Sequence, residues 1–139
     1  MNEQPWLEIA KGELGVHETP GPEATARIVE YDQTTTLKAT SDEVPWCSSF
    51  VNWCLAQVEV EGTNSAAAIS WAEWGQETDS PMPGDITVFQ WASGGHHVAF
   101  FVSYNAETDV VQVLGGNQHD KVCYANFSWN NVINTRTLA

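Results

Sequence analysis

Val44-Pro45-Trp46-Cys47-Ser48-Ser49-Phe50-Val51-Asn52-Trp53-Cys54-Leu55 is the stretch on which the reading of this 139-residue chain turns. Pro45 suits the first turn of a helix, and an amphipathic apolar run follows it. The spacing predicts a helix over residues 45–58 that buries Phe50, Val51, Cys54 and Leu55. Cys47 then falls in the first turn, where unpaired N–H groups and the helix dipole favour thiolate over thiol. About fifty residues on comes a strand-like run headed by a histidine, His97-Val98-Ala99-Phe100-Phe101-Val102. A third polar candidate, Asn117, follows the next strand-like run. Cysteine, histidine and asparagine, each at the edge of a regular element, are what a sulfur nucleophile with an oriented base requires.

Outward from these runs the chain divides in two. Before Ser80 the periodicity is helical. A first helix fits residues 5–15, with Trp6, Ile9, Ala10 and Leu14 on one face and Gly15 at its end. Residues 17–22 read as a loop. A second helix fits 22–33, with Pro22 near its start and Ile28, Val29 and Tyr31 to bury. Residues 34–44 are a polar loop. A fourth helix is expected over 65–75, capped by Ser65 and burying Ile69, Trp71 and Trp74. After Ser80, Pro81-Met82-Pro83-Gly84-Asp85 turns the chain into a strand at 86–91. Further strands are expected at 97–104 and 110–114, the latter ended by Gly115-Gly116, with shorter ones at 121–126 and 132–137. Helices first and an antiparallel meander second define an α+β domain, expected to be a single unit over residues 1–139. The helix carrying the cysteine is expected to pack on the sheet carrying the histidine.

Composition narrows the partners. The net charge is −13, from 18 acidic and 5 basic residues. Residues 1–80 hold 14 of the acids and 3 of the bases, so the charge is concentrated there. Such a chain has no basic patch for nucleic acid or an anionic membrane. Its acidic face either serves solubility or docks a basic partner protein. No stretch is long and apolar enough to cross a membrane. The first residues show no basic region followed by an apolar one, so a cytoplasmic site of synthesis without a visible signal peptide is expected. Seven tryptophans are many for this length, and some are expected to line a surface groove.

The three cysteines do not suggest a disulfide scaffold. Cys47 and Cys54 lie seven apart on one predicted helix, about 10 Å between Cα atoms, too far for a bridge. Cys54 reads as a small buried apolar residue and Cys123 as structural. This leaves Cys47 as the working thiol. His97 would take its proton and later donate one to a leaving amine. Asn117 would accept from the other ring nitrogen and hold the tautomer. The Cys47 N–H would help bind an oxyanion. His96 competes with His97, because adjacent strand residues point to opposite faces and only one can face the cysteine helix. Asn117 also lies in good turn chemistry, Gly115-Gly116-Asn117-Gln118.

Four motifs occur in order: Pro45-Trp46-Cys47-Ser48-Ser49-Phe50-Val51-Asn52-Trp53-Cys54, Pro83-Gly84-Asp85-Ile86, Gly95-His96-His97-Val98-Ala99-Phe100 and Leu114-Gly115-Gly116-Asn117-Gln118. Together they resemble the CHAP-type branch of the NlpC/P60 cysteine peptidases, small phage- and bacteria-encoded wall hydrolases. The resemblance extends from Trp6 to about Arg136. It implies a papain-like α+β fold with N-terminal helices on an antiparallel sheet. It further implies cleavage of peptidoglycan amide bonds, at the muramic acid–L-alanine link or within the stem peptide or cross-bridge. It places the nucleophile on Cys47, the base on His97 and the orienting group on Asn117. Trp46, Trp91, His96 and Gln118 are the candidate substrate-contacting residues. The family pattern usually reads glycine-histidine-valine-glycine, whereas here a second histidine follows Gly95.

No cofactor or metal is expected. His96, His97, His119, Asp85 and Asp120 are conceivable zinc ligands, but no His-Glu-x-x-His or Cys-x-x-Cys pair exists. Some CHAP relatives bind calcium, yet no clustered Asp-x-Asp loop is present. The expected partner is bacterial peptidoglycan, together with an immunity or inhibitor protein if the chain is a delivered toxin. Action on the wall would follow release as a phage endolysin or delivery as a secreted effector. The competing class is a module of the same fold that has lost catalysis and only binds wall glycopeptide or a partner.

Overall fold

The period-two pattern after Ser80 builds the larger half of the molecule. The computed structural model describes residues 3–18, 26–35 and 46–138. One six-stranded sheet runs in the order Gln76–Glu77, Val132–Thr137, Ile86–Gln90, His96–Asn105, Val110–Gln118, Lys121–Ser128, and every neighbouring pair is antiparallel. Its strands are β1 (Gln76–Glu77), β2 (Ile86–Gln90), β3 (His96–Asn105), β4 (Val110–Gln118), β5 (Lys121–Ser128) and β6 (Val132–Thr137). Ahead of it come α1 (Trp6–Lys11), α2 (Ala26–Asp32), α3 (Cys47–Ala56) and a 3-10 helix at Ala68–Glu73. The architecture is α+β.

Several boundaries differ from those expected, for local reasons. The first helix stops at Lys11, where the Gly12 N–H bonds back to Glu8 and Ile9 and turns follow. The fourth helix is a short 3-10 segment. Ser65 does accept from the Ala67 N–H, but Thr63 also accepts from the Ser65 N–H, and the Ser70 hydroxyl donates to the Ala67 carbonyl. Side chains that bond nearby backbone in this way compete with an α-helical ladder. β4 continues through Gly115-Gly116 to Gln118 instead of ending there. The helix starts assigned to Pro22 and Pro45 lie outside the described residues.

α3 is the central helix. Cys47 through Leu55 are all buried, as expected for a helix enclosed on every side. It packs against α1, α2, β3 and β4. Phe50 meets Phe100 at 6.0 Å and Tyr31 at 5.2 Å, both edge to face. Each fully buried side chain of this kind contributes about 1.5–3 kcal/mol relative to exposure. Val88, Val98, Phe100 and Leu114 present the sheet face that α3 covers. The opposite face carries Phe89, Ala99, Phe101, Val111 and Val113, with Trp91, Phe127, Trp129 and Val132 packed around them.

Asp85 fastens the edges. Its Oδ1 accepts from Gln4 Nε2 and Thr137 Oγ1, both at 2.9 Å, and its Oδ2 accepts from the Met82 N–H at 2.9 Å. The carboxylate thus joins the N-terminal segment, the turn before β2 and β6. Trp6 Nε1 donates to the Gly84 carbonyl at 2.6 Å beside it.

Candidate active site

The first residue of α3 is Cys47, and the sulfur lies toward β3. Phe101 donates its N–H to Asp85 and accepts from Gly84, so odd residues of β3 bond toward β2. The N–H of Val98 therefore points toward β4. The paired register of β3 and β4 ends at Phe100 opposite Leu114, two residues short of Val98. The N–H groups of Val98, Ser48 and Cys47 itself are close enough to the Cys47 sulfur to favour its thiolate form. The nucleophile candidate thus abuts the peptide that joins His97 to Val98.

Gly116 makes this approach possible. A Cβ at that position would lie 2.7 Å from the Trp46 ring and 2.8 Å from Phe50 Cβ. Ser48 and Asn52 fix the outer side of the helix. Ser48 Oγ donates to the Ser65 carbonyl at 2.6 Å and accepts from Trp71 Nε1 at 2.8 Å. Asn52 donates to the Ser65 carbonyl and accepts from the Asn64 N–H. The hydroxyl after the cysteine is consumed by packing.

His97 points to the sheet face away from α3. Its ring lies 6.0 Å from Trp91 in a near-parallel stack, with Phe89 and Phe127 both at 5.8 Å. Its Nε2 lies 2.9 Å from Gln118 Oε1, while Gln118 Nε2 donates to the Cys123 carbonyl at 2.6 Å. That second bond fixes the amide: a flipped amide would set Oε1 against the Cys123 oxygen. Oε1 is then the acceptor, so His97 carries its proton on Nε2 and keeps a lone pair on Nδ1.

The observed partner of the imidazole is thus Gln118, one residue beyond Asn117. The reason is a β-bulge. Gly115 pairs with Cys123 and Gln118 with Lys121, so β4 carries one residue more than β5 between those pairs. The extra residue shifts the side-chain phase, and Gln118 joins Gly115 on the His97 side. Asn117 takes up the bulge with φ +58°, left-handed backbone that asparagine tolerates better than most residues. Gly115 is needed too, since a Cβ there would come 2.8 Å from both Ala99 Cβ and Gln118 Oε1. A glycine pair inside a strand was the available signal for the bulge.

Electrostatics departs from the expectation of an acidified thiol. Cys47 is 7% exposed. Burial pushes its pKa up, against the three N–H groups that favour the thiolate. Burial likewise pushes His97 down, partly offset by the Gln118 bond. Burial thus favours the neutral form of each group, thiol and imidazole.

The remaining candidates separate. Asn117, Gln118, His119, Trp91, His97 and Phe127 line a cleft of about 230 Å³. Trp46, expected at the substrate surface, has 0% exposure; its ring packs under Gly116 and its Nε1 donates to Glu18 Oε2 at 3.0 Å. In this structure it is a support for the helix start rather than a contact surface. His96 is half-buried opposite Gln90, in phase with Val98, and is not among the cleft-lining residues. The three cysteines are free, and Cys54 is fully buried as expected. Among the described residues no group of three or more His, Cys, Asp or Glu side chains is placed to hold a metal, and Asp85 is already committed. Among the described residues no helix is long and apolar enough to cross a membrane.

Helices on an antiparallel sheet, with a helix-start cysteine set against the peptide after a strand histidine, define the class. The CHAP domain family model matches residues 39–117, more than half of the chain, and the chain belongs to that family. CHAP domains are in general hydrolases acting on peptidoglycan. No curated protein matches the sequence.

Proposed function

We propose that the chain is a single papain-like catalytic domain that hydrolyses a peptidoglycan amide, with Cys47 as nucleophile, His97 as base and Gln118 as the residue that positions the base. The observation that carries this reading is the chain Cys123 carbonyl–Gln118 amide–His97 Nε2, which leaves the Nδ1 lone pair free on a residue adjoining the sulfur's amide partner. In the first half-reaction the thiol proton passes to His97 Nδ1 and sulfur bonds to the amide carbon. The tetrahedral oxyanion is met by N–H groups at the start of α3. The C–N bond then breaks, and the amine leaves with the proton from His97. In the second half-reaction water gives a proton to His97, attacks the thioester and releases a carboxylic acid. The sulfur recovers its proton. Trp91 and Asn117 border the cleft in which the acyl group would lie.

Delivery by a phage lysis system or by an antibacterial secretion machine both suit such an activity on the wall. An inhibitor protein in the producing cell belongs to the second case. The test is mass spectrometry of purified sacculi digested by the protein beside Cys47→Ala. A free muramic-acid terminus means amidase, and a new amine within the stem means endopeptidase. Absence of both products defeats the proposal.

One observation favours a binding module instead: the thiol is nearly covered, and Cys47 does not line the cleft that contains His97. Alkylation separates the two readings. A hydrolase requires a wall fragment to slow the labelling of Cys47 by iodoacetamide while leaving that of Cys123 unchanged.

A further inference from the structure

A second cleft lies on the same sheet face as His97, further along β3. It has a volume of about 330 Å³ and is lined by Asp79, Ser80, Pro81, Phe101, Tyr104 and Trp129. Three of its six lining residues are aromatic. Tyr104 and Trp129 meet at 5.0 Å with their planes inclined by 56°, so they form a corner rather than a flat shelf. Both are held by one residue: Asp109 Oδ1 accepts from the Tyr104 hydroxyl at 2.6 Å, and the Asp109 carbonyl accepts from the Trp129 N–H at 3.0 Å. The corner is therefore prearranged. Tyr104 is 44% exposed, a large aromatic surface left open to solvent.

The only charged lining residue is a carboxylate. Asp79 has no ion-pair partner among the described residues. The nearby cation Arg136 is spent on the Trp74 and Gly75 carbonyls. Aromatic faces attract a cation through the ring quadrupole when it sits within about 6 Å of the centroid. A carboxylate on the same wall adds Coulomb attraction, and the net charge of −13 raises the local concentration of cations. A sugar would need a flat stacking face and several hydrogen-bond donors, whereas Ser80 is the one neutral polar residue besides the tyrosine.

We infer that the cleft between Phe101, Tyr104, Trp129 and Asp79 binds an organic ammonium group. The inference stands apart from the proposed hydrolysis, because its readout is binding alone. Choline and n-butylammonium represent the quaternary and primary forms of that chemistry. The neutral choline isostere 3,3-dimethylbutan-1-ol and N-acetylglucosamine are the controls. The full chain is titrated with each by calorimetry and by the NMR signals of the tryptophan indoles. At least one ammonium should bind saturably at or below about 10 mM, and at least about tenfold more tightly than the isostere. Trp129→Ala should weaken it by about fivefold or more, and Asp79→Asn, an exposed change that leaves the core intact, by about threefold or more. Which ammonium binds better identifies its source. No saturable binding of either cation, equal binding of the isostere or the sugar, or unaltered affinity in Asp79→Asn would overturn the inference.

Discussion

The two faces of the sheet are finished differently. One is sealed by α3, dry and apolar, with the sulfur of Cys47 at its rim. On the other, aromatic rings form the cover among the described residues, and His97 stands among them beside a cleft. The two halves of the candidate pair thus belong to opposite faces, linked through β3, where His97 faces the open side and the next residue's N–H favours the thiolate. The lesson is that the sheet is the partition between the two candidates, so the spacing of α3, β3 and β4 governs how near they come.

The largest expected effect tests whether the open face holds the base. His97→Ala should lower sacculus digestion by about a thousandfold or more, as should Cys47→Ala. His96→Ala, on the helix-covered phase, should stay within about threefold of the parent in the same assay. The reverse order would put the base on the wrong face.

Next comes the bulge. Gln118→Ala should cut kcat by about a hundredfold with KM little changed, because the imidazole loses its fixed tautomer. Asn117→Ala should cost less in kcat than Gln118→Ala. Steady-state kinetics on a soluble wall peptide distinguishes them, and equal losses would remove the bulge argument.

The two glycines divide along the same line. Gly116→Ala presses on Trp46 and Phe50 and should destabilise by about 2 kcal/mol, seen as a lower melting temperature. Gly115→Ala presses on the Ala99 Cβ as well as on the movable end of Gln118, and should also lower the melting temperature, yet lose more activity relative to its stability change. Calorimetry beside kinetics reads both.

The smallest effects are in pH. The folded pKa of His97 lies below its ordinary 6.5. Below 6.5 the unfolded chain takes up a proton that the folded one refuses. Stability from this group is therefore complete above 6.5 and is lost as pH falls through the folded value. Cys47 is raised above 9.0, so its contribution is complete below that and lost as pH rises through the folded value. Iodoacetamide labelling of Cys47 should climb with pH beyond the usual thiol range, with no acidic plateau. A plateau below pH 6 would instead mean a preformed ion pair.

Much of this arrangement was legible from residue order. Phe50, Val51, Cys54 and Leu55 marked a buried helix, and alternation after Ser80 marked strands; both follow from local periodicity. Asp85 was legible only as a turn residue, because its three hydrogen bonds reach Gln4, Met82 and Thr137. Gln118 was hidden behind Asn117, since counting residues assumes unbroken alternation and the bulge interrupts it. The thiol's pKa direction was hidden for another reason. A helix start is visible in sequence, but how deeply the packing of Trp46 and Phe50 would sink that start is a tertiary property.

The amide of Val98 gives the sheet a hold on the thiol. Its N–H favours the thiolate from the strand side, while those of Ser48 and Cys47 do so from the helix. A substitution that shifts β3 relative to α3 would therefore change the ionisation of the sulfur without touching Cys47 itself. Cys47→Ser, which keeps an acceptor there, is a better silent reference for the resting scaffold than Cys47→Ala.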